Sequence, residues 1–383
     1  MNKMNRTETN KEHIIVRILR IILGLLFIFS SFVKGVDPMG TAYRVEDYLI
    51  AYGIDWLYEL SFGLAVFLIA VEFLLGVALV FKLRYKLAAL GVLLIMVFFT
   101  TVTYFDARYN LVPDCGCFGD AIKLSNWGTF YKNIVLIIMA IIVFFTRKMT
   151  VPRLPKWFQT VLLIGLVGGF VWFIFYNYYH LPVIDFRDWK VGNDMKSSGE
   201  ENAKTYVIYK NIETGEVKEY LAPDYPWNDS TWRSKWEFVD QRYDDSGVVR
   251  KHTLYLEDEA GNNYTSYIIE NPDYQLVLTT YDLEKANSGG MIKASELFHA
   301  INRNDISYAL LSSSGMDVIQ NFQEVYQMDY EVYFADDIEL KAMIRSNPGL
   351  MLLHNGVVLE KWHFNDFPDK KELEEVIASE TSE

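Results

Sequence analysis

Cysteine is scarce in this sequence, which has two cysteines in 383 residues. Both lie in one short segment, as Cys115 and Cys117, and two thiols are too few for a structural zinc site. A disulfide between residues this close in the chain closes a very small, strained ring, which exchanges with other thiols more readily than a structural disulfide does. The pair is therefore a redox centre, a disulfide that only shapes a surface turn, or two unpaired thiols.

Positive charge is also in short supply, with 36 Lys and Arg residues against 49 Asp and Glu residues and a net charge of −13. Basic residues form only short clusters next to apolar runs, so no nucleic-acid partner is expected. The sequence also lacks a P-loop, a dinucleotide-binding fingerprint, a metal-ligand spacing and a Ser/His/Asp set. These absences leave the cysteine segment as the main candidate for chemistry.

Apolar residues are abundant, at 51% of the chain, and nearly all the long apolar runs come before residue 179. Each run is about long enough to cross a bilayer, so we predict five transmembrane helices. No small-residue cleavage site follows the first run, which is therefore predicted to be a retained span and not a signal peptide. The first run ends at Val33, and the others cover residues 57–81, 87–105, 130–145 and 158–179.

The loops between these runs alternate in basic charge. Lys and Arg cluster in the N-terminal segment and in residues 82–86 and 147–156, and loops of this kind face the cytoplasm under the positive-inside rule. The cysteine segment and everything after Tyr179 are then expected on the opposite side, in an oxidising compartment. For a diderm bacterium this predicts a multi-pass inner-membrane protein with a periplasmic C-terminal domain.

Polar residues within apolar runs are candidates for function, because an ionisable group in lipid is costly. Glu72 is either a carboxyl bonded to a neighbouring helix, or a proton relay or quinone contact. Lys132 and Asn133 follow the cysteine segment; Lys132 is expected to lower a thiol pKa or to anchor at the interface, and Asn133 is a second candidate quinone contact. Arg17 and Arg20 are expected to reach the lipid headgroups or to contact a substrate anion.

Several segments of the chain resemble the DoxX/MauE superfamily of four-helix membrane proteins. The likeness covers residues 14–146, and it includes Gly24-Leu25-Leu26-Phe27-Ile28-Phe29-Ser30-Ser31-Phe32-Val33-Lys34, Asp37-Pro38-Met39-Gly40, the Glu72 segment, Asp114-Cys115-Gly116-Cys117-Phe118-Gly119-Asp120 and the Lys132-Asn133 helix. The resemblance implies a four-helix bundle linked to periplasmic redox chemistry. MauE-like members are associated with disulfide formation or enzyme maturation, and DoxX-like members with sulfur oxidation and quinone reduction. The longer form, with a fifth span and a soluble domain, is similar to DoxX-family proteins of Bacteroidetes.

The second half of the chain is polar and predicts a soluble domain. Residues 180–204 are typical of a linker, and residues 205–210 and 217–221 predict a β-hairpin. A tryptophan group, Trp227, Trp232 and Trp236, predicts either internal packing or a docking face. Further strands are predicted at residues 253–256, 264–268, 274–281, 306–312, 330–334, 349–353 and 357–364, with helices at 291–301, 316–326 and 370–379.

This alternation of strands and helices predicts α/β layers. With Asn347-Pro348-Gly349 before a terminal hairpin and helix, the order resembles a thioredoxin-like fold of the TlpA type, which implies a cis peptide at Pro348. Where a thioredoxin carries Cys-x-x-Cys, this chain has Thr280-Tyr281-Asp282-Leu283-Glu284-Lys285-Ala286. The soluble domain is therefore not expected to exchange disulfides by itself.

Together these features predict a multi-domain protein: an all-α four-helix transmembrane bundle (residues 1–150), a fifth transmembrane helix (151–182), a linker with a β-hairpin (183–250) and a thioredoxin-like α/β domain without Cys-x-x-Cys (251–383). Two functional hypotheses remain. In the first, Cys115 and Cys117 perform thiol-disulfide exchange coupled to a quinone, as in a thiol:quinone oxidoreductase, and the soluble domain docks a periplasmic thiol protein. In the second, the protein is a non-enzymatic assembly factor whose soluble domain binds a periplasmic partner.

Overall fold

The computed structural model describes residues 13–112, 116–149, 154–197, 204–226, 229–244, 251–301, 306–328 and 330–380. Cys115 and Trp227, both singled out from the sequence, lie outside the described residues. The chain divides into two compact units. One comprises Met1–Arg187 with Trp362–Phe367, and the other comprises Asp188–Lys361 with Pro368–Glu383.

The first unit contains five helices that are long and apolar enough to cross a membrane, which confirms the five predicted spans. Large apolar side chains such as Phe67, Leu94 and Trp172 are exposed on the outer faces of these helices, as expected for surfaces that contact lipid. The helices are α1 (Ile14–Val36), α3 (Ser61–Phe81), α4 (Tyr85–Tyr109), α5 (Asn126–Thr146) and α6 (Lys156–Tyr179).

A further helix in the first unit, α2 (Pro38–Ala51), was not predicted. Its start has a clear chemical cause, because the Asp37 side chain accepts a hydrogen bond from the Gly40 amide and Pro38 occupies the first turn, a position where proline is well tolerated. Ser61 Oγ donates to Glu46 Oε1 over 2.8 Å, which joins α2 to the start of α3.

Helices α1 and α3 are in backbone contact at two glycines. A Cβ atom on Gly76 would lie 2.9 Å from both the Gly24 carbonyl oxygen and the Ile28 amide nitrogen. Small residues allow this close approach of membrane helices. The contact fixes the register of the antiparallel pair, so that residue 72 of α3 faces the last turns of α1.

The second unit contains a five-stranded sheet in the order β6-β5-β4-β7-β8. Strands β4, β5 and β6 are parallel, and β7 is antiparallel to β4. This mixed α/β sheet, together with the five apolar helices, confirms the predicted fold class, and the peptide bond before Pro348 is cis. The elements are β4 (Tyr274–Thr280), α9 (Ser288–Ala300), β5 (Ile306–Ser312), α10 (Met316–Tyr326), β6 (Val332–Phe334), α11 (Asp337–Met343), β7 (Gly349–His354), β8 (Val357–His363) and α12 (Lys370–Glu380).

The predicted strands at residues 253–256 and 264–268 are wrong. The first segment has no strand and makes only isolated bridges at its end, at Glu257, and the second segment forms most of a short helix, α8 (Thr265–Ile269). Leu256 and Ile268 are nevertheless buried in the core of the domain. A short apolar run shows that a segment is buried, but its periodicity does not distinguish a strand from a short helix.

A three-stranded sheet, in the order β2-β1-β3, precedes the larger one. The predicted hairpin forms, as β1 (Lys204–Asn211) and β2 (Val217–Leu221), and the unpredicted third strand is β3 (Trp236–Asp244). The Trp232 ring lies 4.7 Å from the Tyr209 ring and stacks on Trp236 at 6.0 Å. Trp232 and Trp236 therefore pack within this small sheet.

Candidate functional site

Helices α1 and α3 place an ion pair inside the membrane unit. Ser30 and Lys34 lie four residues apart on one face of α1, and Glu72 faces them from α3. Lys34 Nζ lies 2.7 Å from Glu72 Oε1, and Ser30 Oγ donates to Glu72 Oε2 over 2.9 Å. Glu72 is 1% exposed and Lys34 is 6% exposed, so each charge depends on the other for compensation.

Lys34 was not among the site residues predicted from the sequence, which placed it at the end of the first span. A signal was present in the spacing, since Ser30 and Lys34 share one helix face and Glu72 is the one acidic residue within α3. The pairing itself depends on the register of α1 against α3, which the sequence does not show.

The described part of the cysteine segment is held against α1 and α2. The Cys117 carbonyl accepts a hydrogen bond from Ser30 Oγ over 2.9 Å, and Phe118 packs on Phe29 with ring centroids 5.7 Å apart. Gly116 has φ +58°, and a Cβ atom there would lie 3.0 Å from Arg44 Cγ of α2. Only glycine adopts this backbone conformation without strain, and its small size lets α2 approach.

Helix α5 contributes the two polar residues that follow the cysteine segment. Lys132 Nζ lies 4.4 Å from the centroid of the Phe118 ring, next to Cys117 in the chain. Asn133 is 2% exposed and its side-chain amide donates to Thr103 Oγ1 over 3.1 Å. Lys132 therefore lies against the cysteine segment, while Asn133 joins α5 to α4.

One small cavity is shared by all the predicted site residues that the structure describes, namely Glu72, Cys117, Lys132 and Asn133. Its volume is about 40 Å³. A space of this size holds one to a few waters, and it is well below the roughly 300 Å³ or more of pockets that bury small-molecule ligands. The cavity is partly open to its surroundings, and its polar lining could bond to a quinone carbonyl.

The described residues that line this cavity carry more positive than negative charge. Lys34 and Lys132 contribute two ammonium groups, and Glu72 is the one acidic residue among the described lining residues. Positive charge next to a cysteine favours the thiolate form, which is the reactive form in disulfide exchange. The arrangement therefore suits a reactive thiol at Cys117.

Arg20 does not extend to the lipid headgroups as predicted. It is 3% exposed, and its guanidinium donates to the carbonyl oxygens of Leu79 and Val80. These carbonyls form the end of α3, where the helix dipole favours a positive charge. Arg20 thus caps α3 from α1 at the end of the bundle opposite the cysteine segment, while Arg17 is exposed.

In the soluble unit, the residues that stand in place of Cys-x-x-Cys, around Asp282 and Leu283, form a loop that is hydrogen-bonded to neighbouring segments. The Leu283 amide donates to Ser314 Oγ over 2.9 Å, and the Asn347 side chain donates to the Asp282 carbonyl over 2.7 Å. This loop lies beside the cis peptide at Pro348 and carries no thiol. Across the described part of the chain, no three His, Cys, Asp or Glu side chains are grouped so as to hold a metal ion.

Comparison with known proteins finds similarity to solved structures and to one protein family. No curated protein matches the chain. Among solved structures, one described as "Solution structure of a putative protein disulfide isomerase from Bacteroides thetaiotaomicron" aligns with a TM-score of 0.25 and 9% identity, covering 33% of this chain and 82% of that one. Residues 12–146, which contain α1 to α5 and the whole cavity, match a family of membrane proteins, the one described as "Methylamine utilisation protein MauE".

Proposed function

We propose that this protein is a membrane-bound thiol-disulfide redox protein in which Cys115 and Cys117 alternate between the dithiol and the disulfide. The observation that carries the proposal is the hydrogen bond from Ser30 Oγ to the Cys117 carbonyl, since the same hydroxyl contacts Glu72. The side chain of Ser30 thus connects the backbone of the cysteine segment to the buried ion pair of Lys34 and Glu72. A turn that had only a structural role would not require charged groups inside the membrane.

The hydroxyl of Ser30 joins Glu72 to the cysteine segment. Ser30 has one hydroxyl hydrogen and two acceptors, Glu72 Oε2 and the Cys117 carbonyl, each at 2.9 Å. The two acceptors therefore compete for one hydrogen, so a change at Glu72 alters the hydrogen bond that holds the cysteine segment. We assign Glu72 as the proton relay on the basis of this shared hydroxyl.

The exchange reaction follows ordinary thiol chemistry. A thiolate of a periplasmic protein attacks one sulfur of the Cys115–Cys117 disulfide, and a mixed disulfide forms as the S–S bond breaks. The second thiol of the partner displaces the mixed disulfide, so the partner leaves oxidised and the segment is left as a dithiol. The ammonium of Lys132 stabilises the thiolate that leaves.

Return to the disulfide requires an acceptor for two electrons, for which we propose a quinone of the bilayer. Glu72 and Asn133 line the partly open cavity, and we propose them as the contacts for the carbonyl oxygens of this quinone. The resemblance to DoxX-like proteins supports a quinone, and the resemblance to MauE-like proteins supports a role in disulfide formation or in maturing a periplasmic enzyme. The basic loops support an inner-membrane location with the cysteine segment in the periplasm.

Alkylation trapping in intact cells tests this function. Thiols of the full-length protein are labelled with a maleimide polymer, with and without depletion of quinone, and a Cys115→Ser, Cys117→Ser variant is the control. The expected result is a disulfide that becomes reduced when quinone is depleted. A pair that stays fully oxidised or fully reduced under both conditions contradicts the proposal.

A second candidate function, binding of a partner without reaction, is supported by the hydrogen-bonded loop at Asp282. The hydrogen bonds from Leu283 and to Asp282 fill the place where a thioredoxin would expose its cysteines. That arrangement favours a domain that binds a periplasmic partner without reacting with it. If the double serine variant still co-purifies with the same partner as the natural protein, binding by the soluble domain is independent of the cysteines.

A further inference from the structure

We infer that Asp106, together with Tyr48, accepts the proton that a thiol of the cysteine segment releases when it reacts. The inference rests on the proposed redox function and adds residues that neither the sequence patterns nor the family resemblance single out. It depends on one buried carboxyl of helix α4 that is hydrogen-bonded to helix α2, the helix that the cysteine segment also contacts.

Asp106 lies near the end of α4 and is fully buried, at 0% exposure. Its Oδ2 atom accepts a hydrogen bond from the Tyr48 hydroxyl of α2 over 2.5 Å. Its Oδ1 atom is also buried and has no hydrogen-bond partner among the residues that the structure describes. A buried carboxyl oxygen without a partner is costly, and such groups are common at sites where a proton is transferred.

Helix α2 brings this carboxyl close to the cysteine segment. Arg44 and Tyr48 lie one turn apart on the same face of α2, a rise of about 6 Å. The stem of Arg44 is against Gly116, the residue between the two cysteines, and Tyr48 bonds to Asp106. The glycine of the cysteine segment and Asp106 are thus both in contact with a single turn of α2.

Helix α4 joins the same carboxyl to the cavity. Phe99, Thr103 and Asp106 occur at intervals of four and three residues, so they share one face of α4. Thr103 Oγ1 accepts from Asn133 of α5, and the Phe99 ring lies 5.5 Å from Lys34 Nζ. Asp106 is therefore the outermost polar group of a stripe that begins at the cavity.

The titratable groups that bear on Asp106 come from each neighbouring helix. From α2 they are Tyr48 and Tyr52, whose rings stack. Burial, and then the negative charge of Asp106, raise the pKa of Tyr52, so Tyr52 stays neutral and does not compete for the proton. From α1 and α5 the charged groups at the cavity are Lys34 and Lys132.

The proton transfer is part of a reaction in which a disulfide compound oxidises the dithiol of the cysteine segment. The S–H bond of Cys117 breaks, and its proton passes over water to Asp106 Oδ1. The sulfur forms a bond to one sulfur of the compound, whose S–S bond breaks, and the released thiolate takes a proton from water. The sulfur of Cys115 then loses its proton to water and attacks the sulfur of Cys117, the bond between Cys117 and the compound breaks, and the second thiolate leaves and takes a proton from water, so two electrons have moved from the segment to the compound.

The test uses full-length protein, reduced, freed of reductant and mixed with glutathione disulfide. The rate of disulfide formation is measured by quenching with a maleimide polymer. In Asp106→Asn the amide can still accept the Tyr48 bond but cannot take a proton, so the rate is expected to fall about 100-fold, as for loss of a general base. Imidazole, a small diffusible base, is expected to restore the rate in proportion to its concentration. The control is Asp55→Asn, at an exposed carboxyl.

Two results overturn the inference. One is an Asp106→Asn protein that reacts at the natural rate. The other is a slow variant that imidazole does not restore, which would show that Asp106 only supports the packing of α2. If the natural protein itself forms no disulfide, the proposed redox function has failed, and this outcome is distinct because it does not depend on the variant.

Discussion

Lys34 Nζ and Glu72 Oε1 lie 2.7 Å apart inside the membrane unit, although their residues are 38 positions apart in the chain. Both groups are almost fully buried. A buried charge without its partner is far more costly than a buried pair. The two residues are therefore coupled in stability as well as in position, and the coupling can be measured.

Removing one member of this pair is expected to cost more than removing both. Glu72→Leu leaves the Lys34 ammonium buried, and the expected loss is about 3–5 kcal/mol of unfolding free energy. The double variant Lys34→Met, Glu72→Leu removes both charges, and its loss is expected to be clearly smaller. Reversible unfolding in mixed micelles measures both, with Glu59→Leu at an exposed site as the control. Equal losses in the single and double variants would contradict the coupling.

Because α1 and α3 are in contact at glycines, replacing a glycine by alanine is expected to destabilise the protein at this contact but not at a glycine with free space around it. In Gly76→Ala the new Cβ would lie 2.9 Å from backbone atoms of Gly24 and Ile28, so the helices must move apart, at an expected cost of about 1–3 kcal/mol. Gly168→Ala on α6 is the matched control, because its Cβ would meet nothing within 4 Å. That variant is expected to be as stable as the natural protein, or more stable by up to about 1 kcal/mol. The same unfolding assay compares the two, and similar losses in both would show that the contact is not tight.

The position of Lys132 predicts the reactivity of Cys117. In a Cys115→Ser background, Lys132→Met removes the ammonium next to Phe118. Without this positive charge the thiolate of Cys117 is less favoured, so the thiol pKa should rise and alkylation near neutral pH should become slower. A rise of one pKa unit would lower the thiolate fraction by about tenfold. The rate of alkylation as a function of pH measures this change. Lys123→Met, at an exposed position before α5, is expected to leave the rate unchanged. If both variants behave alike, local charge at Lys132 does not control the thiol.

A pH effect on stability is expected from His363. Burial lowers the pKa of this imidazole from 6.5 to about 4, and its Nδ1 atom accepts a hydrogen bond from the Asn365 amide over 3.2 Å, which requires the neutral ring. Because the folded pKa lies below the unfolded one, the stabilisation is complete above about pH 6.5 and is lost as the pH falls towards 4.

Thermal unfolding of the full chain between pH 7 and pH 4 should therefore show a smaller decrease in Tm for His363→Gln than for the natural protein. His299→Gln, at an exposed position, is the control and should retain the full decrease. An equal decrease in Tm between pH 7 and pH 4 in all three proteins would mean that groups other than His363 cause the loss of stability in acid.

Helix α2 shows where sequence reasoning was incomplete. The residues at its start, Asp37 to Gly40, contributed only to a family resemblance, although Asp37 and Pro38 form a standard helix start. The amphipathic helix that follows is neither a long apolar run nor a recognised motif. It carries Arg44 and Tyr48, so the contacts of the cysteine segment with α2 could not be anticipated.

The soluble domain shows a different limit. Burial was predicted correctly for Leu256 and Ile268, but their secondary structure was not. The parallel strands β4 and β5, in contrast, are long apolar runs and were predicted nearly to the residue. Length and continuous burial identify a central strand, whereas short segments at the edge of a core take their conformation from their neighbours.

The sequence by itself determined the five membrane spans, the α/β character of the second unit, the place of the two cysteines and the absence of a Cys-x-x-Cys pair, because each of these follows from composition or local pattern. The tertiary structure alone decided that Glu72 pairs with Lys34, that Ser30 joins this pair to the Cys117 carbonyl, and that Asp106 is buried beside Tyr48. These relationships depend on the close approach of α1 and α3 and on the docking of α2. Contacts between distant residues arise from helix packing, and local periodicity contains no information about which faces meet.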